Sequence, residues 1–75
     1  MEQKHVQAAV VLKKGEGRSL KAGGAWIYDH EISQIRGEAR DGDLVRVEDF
    51  DGYVMGQGFL NTRSKIAVRM MTRKK

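Results

Sequence analysis

Cysteine and proline are both absent from the chain. Without cysteine there is no disulfide framework, no thiolate metal site and no cysteine nucleophile, which fits a protein of the reducing cytosol. Without proline there is no polyproline linker or ligand segment. Aromatic residues make up 7% of the chain, with a single tryptophan. No apolar run approaches the roughly 18 residues that a membrane-spanning helix needs. The opening Met1-Glu2-Gln3-Lys4-His5 lacks the basic-then-apolar order of a signal peptide. These absences predict a cytoplasmic protein with no membrane contact.

What is present is small and basic. The 75 residues make one domain, spanning 1–75, with 40% hydrophobic residues and a net charge of +4. A domain of this size buries only about 60% of the surface of its unfolded chain, so a stability of a few kcal/mol is expected. With nothing to staple it, the domain reads as the N-terminal part of a longer protein, Met1 as its start and Thr72-Arg73-Lys74-Lys75 as the start of a polar linker.

Alternation of side chains marks several strands. Val6, Ala8, Val10 and Leu12 alternate with Gln7, Ala9, Val11 and Lys13, a strand with one clearly apolar face. Arg18 to Ala22 reads as a helix of little more than a turn, stopped by Gly23-Gly24. Trp26-Ile27-Tyr28 is a short extended run, and Glu31 to Ile35 a weaker strand. Asp41-Gly42 turns the chain into a strand over Asp43–Glu48, and Phe50-Asp51-Gly52 is a hairpin turn. The return strand covers Tyr53 to Leu60, where Gly56 and Gly58 share a face and allow a close backbone approach or a sharp bend. Asn61-Thr62-Arg63-Ser64 turns the chain into a last strand over Lys65–Met71. Five or six short strands with a short helix predict a mainly β fold, a small closed or partly closed barrel. Trp26 and Tyr28 are rings of a kind that can stack on bases, but a lone tryptophan in so small a domain is expected as core or a core lid; Phe59 is expected on a core face with Met55 and Tyr53, and Met55, Met70 and Met71 as core filler.

Charge is separated by sign. Residues 1–28 carry five bases and two acids, residues 29–53 three bases and eight acids, and residues 54–75 six bases and no acid. If the first and last strands of the barrel are neighbours, the basic ends merge into one patch and the acidic hairpin points elsewhere. Such a patch is an electrostatic footprint for phosphate. Lys13, Lys14, Arg18 and Lys21, with Arg63, Lys65 and Arg69, are the candidate binding residues for a phosphate-bearing partner.

Catalytic constellations are missing. Asp29-His30-Glu31 places three polar groups on adjacent positions, which point to opposite sides of an extended chain and read as a surface turn. Ser19, Ser33 and Ser64 lack a base with its orienting partner, and Ser64 reads as serving the turn. Gly15-x-Gly17 lacks the third glycine of a dinucleotide fingerprint and the Gly-Lys-Ser/Thr ending of a P-loop. No catalytic, metal or cofactor residue is expected in this chain.

The order Leu12-Lys13-Lys14-Gly15, Arg18-Ser19-Leu20 and Trp26-Ile27-Tyr28 resembles the opening of RlmI-like SAM-dependent rRNA methyltransferases. Gly42-Asp43-Leu44-Val45, Asp51-Gly52, Gly56-Gln57-Gly58 and Ser64-x-Ile66-x-Val68-Arg69 continue it in register, over about residues 8–72. Gly24-Ala25 stands where that family usually has His-Pro. The resemblance implies an N-terminal PUA domain, a pseudo-barrel of five to six strands with short helices that binds structured RNA, here large-subunit rRNA. It implies a separate catalytic domain, absent from this chain, that holds S-adenosylmethionine and a nucleophilic cysteine and methylates cytosine at C5. Its partners would be the RNA and its own catalytic domain. The alternative is a small SH3-like barrel for protein interaction or intramolecular packing, working through the acidic hairpin Asp41–Asp51.

Overall fold

The computed structural model describes residues 8–72. Strands β1 (Ala9–Leu12), β2 (Trp26–Tyr28), β3 (Ile32–Arg36), β4 (Leu44–Glu48), β5 (Val54–Leu60) and β6 (Ile66–Thr72) form one sheet in the order β2-β6-β5-β4-β1-β3. A single helical turn, α1 (Arg18–Lys21), precedes β2, and a 3-10 turn over Asp29–Glu31 joins β2 to β3. The two edge strands are therefore consecutive in sequence. The sheet curls into a half-barrel around Val10, Leu12, Leu20, Ile27, Val45, Val47, Leu60 and Val68. The predicted β class and strand number hold.

Local chemistry explains the boundaries. α1 ends in paired backbone bonds: the Gly24 N–H donates to the Ser19 carbonyl (2.8 Å) and the Gly23 N–H to the Leu20 carbonyl (3.1 Å). This closing motif needs a left-handed residue, and Gly23 supplies it at φ 106°. At the β4–β5 hairpin the Gly52 N–H donates to the Asp49 carbonyl, while Asp49 Oδ1 accepts from the Asp51 and Tyr53 N–H groups. Only Gly52 takes positive φ there, and Asp51 does not. Ser64 serves its turn, its hydroxyl accepting from the Ile66 N–H at 3.1 Å.

Several expectations are corrected. β1 lies between β3 and β4, so Ala9 on the supposed outer face is buried as well as Ala8, Val10 and Leu12; Val6 lies outside the described residues. β4 and β5 separate β1 from β6, so the first and last strands are not neighbours. β3 begins at Ile32, because Glu31 belongs to the 3-10 turn.

The faces of β5 are the reverse of the sequence reading. Gly56, Gly58 and Leu60 point inward and Phe59 outward, 45% exposed, with Tyr53 also exposed. The cause is crowding. A Cβ at Gly58 would strike the Arg69 carbonyl oxygen and come 2.8 Å from Val68 Cγ1. The inner face beside β6 thus accepts glycine and the aromatic ring turns out. Met55 and Met70 pack on the core as expected, whereas Met71 and Trp26 are exposed.

Gly58→Ala should destabilise the domain by about 1–3 kcal/mol, the usual cost of overpacking. A lower urea midpoint at unchanged m-value is the expected result; an unchanged midpoint would show that β6 yields freely.

Candidate functional site

The 3-10 turn is where the two basic segments meet. The Lys13 N–H donates to the Glu31 carbonyl and the Asp29 N–H donates to the Lys65 carbonyl, each at 2.8 Å. The residue after β1 and the residue before β6 thus flank one three-residue turn. Their approach comes from the curl of the sheet, not from adjacency of β1 and β6.

Glu31 locks this arrangement. It is 5% exposed. Its Oε1 accepts from the Gly17 N–H at 3.1 Å and its Oε2 from the Tyr28 N–H at 2.9 Å. One carboxylate therefore ties the loop entering α1 to the end of β2. Charged hydrogen bonds of this kind contribute about 1.5–3 kcal/mol each. The sequence reading placed Asp29-His30-Glu31 on the surface as a turn. It is a turn, and Asp29 and His30 are exposed, but Glu31 is not. Its spacing of three from Tyr28, the reach-back distance of a capping carboxylate, was the available signal.

The candidate binding residues fall into three places. Lys13 and Lys14 follow β1, Arg18 and Lys21 sit on α1, and all four are exposed. Lys65 flanks the 3-10 turn from the β6 side. Arg63 occupies the β5–β6 turn, with Nε 3.7 Å from Asp41 Oδ2. Arg69 lies mid-strand in β6, its guanidinium carbon 5.8 Å from the centroid of the Trp26 ring. Lys13, Lys14, Arg18, Lys21 and Lys65 form no ion pair among the described residues.

Many of the acids, in contrast, are engaged internally. Glu48 is buried against Arg36 and Arg46. Asp43 accepts from the Arg40 N–H, Asp49 from the hairpin backbone, and Asp41 Oδ1 from the Thr62 N–H and hydroxyl, both at 2.8 Å. The acidic segment does not point wholly away from the basic end, because Asp41 sits against the β5–β6 turn. The two Thr62 bonds hold the Asp41 carboxyl below its ordinary value of 3.8; slight desolvation opposes them and Arg63 assists.

Among the described residues no three His, Asp or Glu side chains converge as a metal site requires, and no helix is long and apolar enough to cross a membrane. The glycine pairs do not fit a nucleotide cofactor. A Cβ at Gly17 would come 2.9 Å from Leu12 Cδ1, and Gly58 is packed against β6, so both serve internal packing and neither opens a phosphate cradle.

Comparison with known proteins places this geometry. The family model of the PUA-like domain matches residues 10–73. The ribosomal RNA large subunit methyltransferase I of Alteromonas mediterranea is 37% identical over 70 residues, covering 93% of this chain and 18% of the relative. The same-named proteins of Shewanella frigidimarina and Aeromonas hydrophila are 36% and 31% identical, covering 84% and 89% of this chain. The chain spans 16–18% of the length of these relatives. Its 75 residues hold no methyltransferase domain.

Glu31→Ala should strand the Gly17 and Tyr28 N–H groups and cost about 2–4 kcal/mol. Amide hydrogen exchange at those two positions should accelerate at least about tenfold, each 1.4 kcal/mol of lost protection being a factor of ten; unchanged exchange would show that Glu31 does not hold the joint. The Asp41–Thr62 contact stabilises the fold above pH 3.8 and should weaken as pH falls through the depressed folded value. The Thr62 amide shift should titrate with a midpoint below 3.8, and Asp41→Asn should abolish that titration. A midpoint at or above 3.8 would mean the contact is lost in solution.

Proposed function

Because the chain belongs to the PUA-like domain family, we propose that it is an RNA-binding domain that docks a SAM-dependent rRNA cytosine methyltransferase on structured large-subunit RNA. The observation that carries this reading is the joining at the 3-10 turn, through the Lys13–Glu31 and Asp29–Lys65 backbone bonds, of two segments whose bases form no ion pair among the described residues. Lys13, Lys14, Arg18 and Lys21 meet phosphates from one side of the turn, and Lys65 from the other. Arg63 and Arg69 extend the surface along β6. Contacts of this kind position a protein on RNA by shape and backbone charge and read little sequence.

The names of the relatives suggest the substrate class, and the match to the PUA-like domain supports the RNA-binding role. S-adenosylmethionine would bind to the separate catalytic domain, where it serves as methyl donor. The residues of this chain bind and orient the RNA, and the protein works in the cytoplasm, where ribosomal RNA is modified. That catalytic domain is then the second partner. The protein-interaction reading draws less support, because Asp43 and Asp49 already accept hydrogen bonds within their own loops and Asp41 accepts from Thr62 of the β5–β6 turn.

The test is RNA affinity across a salt series. Lys14→Gln with Arg18→Gln should weaken binding of an rRNA hairpin at least about tenfold, as expected for the loss of one charged hydrogen bond of roughly 1.5 kcal/mol or more. The slope of log affinity against log salt should become shallower by about 2, one for each phosphate contact removed. Unchanged affinity and slope would sink the placement of the docking surface at α1.

A further inference from the structure

The outer face of the sheet presents a row of two rings about Arg69, the one residue this row shares with the phosphate-docking surface. In the pairing of β2 with β6, Trp26 stands opposite Arg69; in the pairing of β5 with β6, Phe59 stands opposite Arg69. Direct cross-strand partners share a face, so the three side chains form one line: ring, guanidinium, ring. Neighbouring strands are about 4.8 Å apart, which sets the two rings about 9.6 Å apart across the sheet. Trp26 is 43% exposed and Phe59 45%. Met71, two residues along β6, is exposed on the same side as Arg69. Beside Phe59 and Arg69 lies a groove of about 480 Å³, also lined by Leu60, Asn61, Arg63 and Asp41.

Exposed aromatics at this density are costly in so small a domain unless something covers them. The charges on the row favour a polyanion with flat apolar faces. Arg69 lies within cation–π distance of Trp26, and Arg63 stands in the groove wall. Asp41, the acid of that wall, is already held by Thr62 and faces Arg63. Aromatic rings interleaved with arginines are what successive unpaired bases stack upon, their phosphates being met by the guanidinium groups.

We propose that Trp26, Arg69 and Phe59 form a stacking subsite for unpaired nucleotides of RNA, separate from the phosphate-docking surface at α1 and the 3-10 turn. The inference rests on the RNA-binding reading and assigns a second, single-stranded element to the substrate. The domain then binds a junction: a structured part at the basic turn and an unpaired flank along the sheet face.

The chain's single tryptophan makes the test direct. Intrinsic fluorescence of the 75-residue chain is followed while a single-stranded oligoribonucleotide of mixed sequence is added. An abasic ribose-phosphate oligomer of equal length serves as the control of equal charge. The base-bearing strand should quench Trp26 and bind more tightly than the abasic one. Followed by anisotropy of a fluorophore carried on the oligonucleotide, Trp26→Ala, and separately Phe59→Ala, should each weaken single-strand binding by about 5- to 150-fold, the range for loss of one stacked base, with circular dichroism unchanged. Where a variant fails to fold, the wild-type comparison of base-bearing with abasic strand decides. Equal binding of the two strands with Trp26 unquenched overturns the subsite, as does Trp26 responding only to an added protein domain. Lys14→Gln with Arg18→Gln separates the two readings. If that variant loses hairpin affinity while the single strand still quenches Trp26, both surfaces stand. If hairpin affinity is unchanged but quenching persists, only the docking placement fails.

Discussion

Glu31 holds three segments that the sequence keeps apart, two through its carboxylate and one through its backbone carbonyl. Its oxygens accept from Gly17 before α1 and Tyr28 at the end of β2, while its carbonyl accepts from Lys13 after β1. A buried carboxylate is tolerable only when its lone pairs are met by donors, and here two backbone N–H groups meet them. The result is a rigid corner at the point where the chain passes from one edge of the sheet to the other. Every basic residue at that corner depends on it for position: Lys13 and Lys14 through the β1 exit, Arg18 and Lys21 through the α1 entry, Lys65 through its bond to Asp29.

Close packing governs the opposite surface. The inner face of β5 is too near the β6 backbone to hold a side chain at Gly58. The core is therefore built from small and medium aliphatic residues, and the large rings are left outside. The exposure of Phe59 is a consequence of that interstrand approach and is built into the fold.

Electrostatics divide along similar lines. Glu48, Asp41, Asp43 and Asp49 each make hydrogen bonds or ion pairs near their own strands and turns, while the basic residues at the corner reach solvent without a carboxylate partner among the described residues. The formal charge of +4 understates the asymmetry of the surface. At the corner Lys13, Lys14, Arg18, Lys21 and Lys65 outnumber Glu16, Asp29 and Glu31, and a net positive field is what attracts and orients a polyanion.

Much of this was legible in the sequence. Period-two alternation marked β1 and β6, Gly23-Gly24 marked the end of α1, and Phe50-Asp51-Gly52 marked the hairpin, because each follows from backbone sterics or from hydrogen bonds a few residues long. Order and spacing of the short motifs indicated the PUA-like family. The inward face of β5, the burial of Glu31 and the neighbours of β1 were decided by tertiary structure alone. A seven-residue strand with glycines on one face and rings on the other has two self-consistent orientations, and only the distance to β6 chooses between them. A glutamate beside a histidine looks solvated until donors from a loop fourteen residues away close over it. Sequence thus determined the strands, the turns and the sign of the charge along the chain. Curling of the sheet determined which of those charges meet, because long-range pairing, unlike a turn, leaves no local signature.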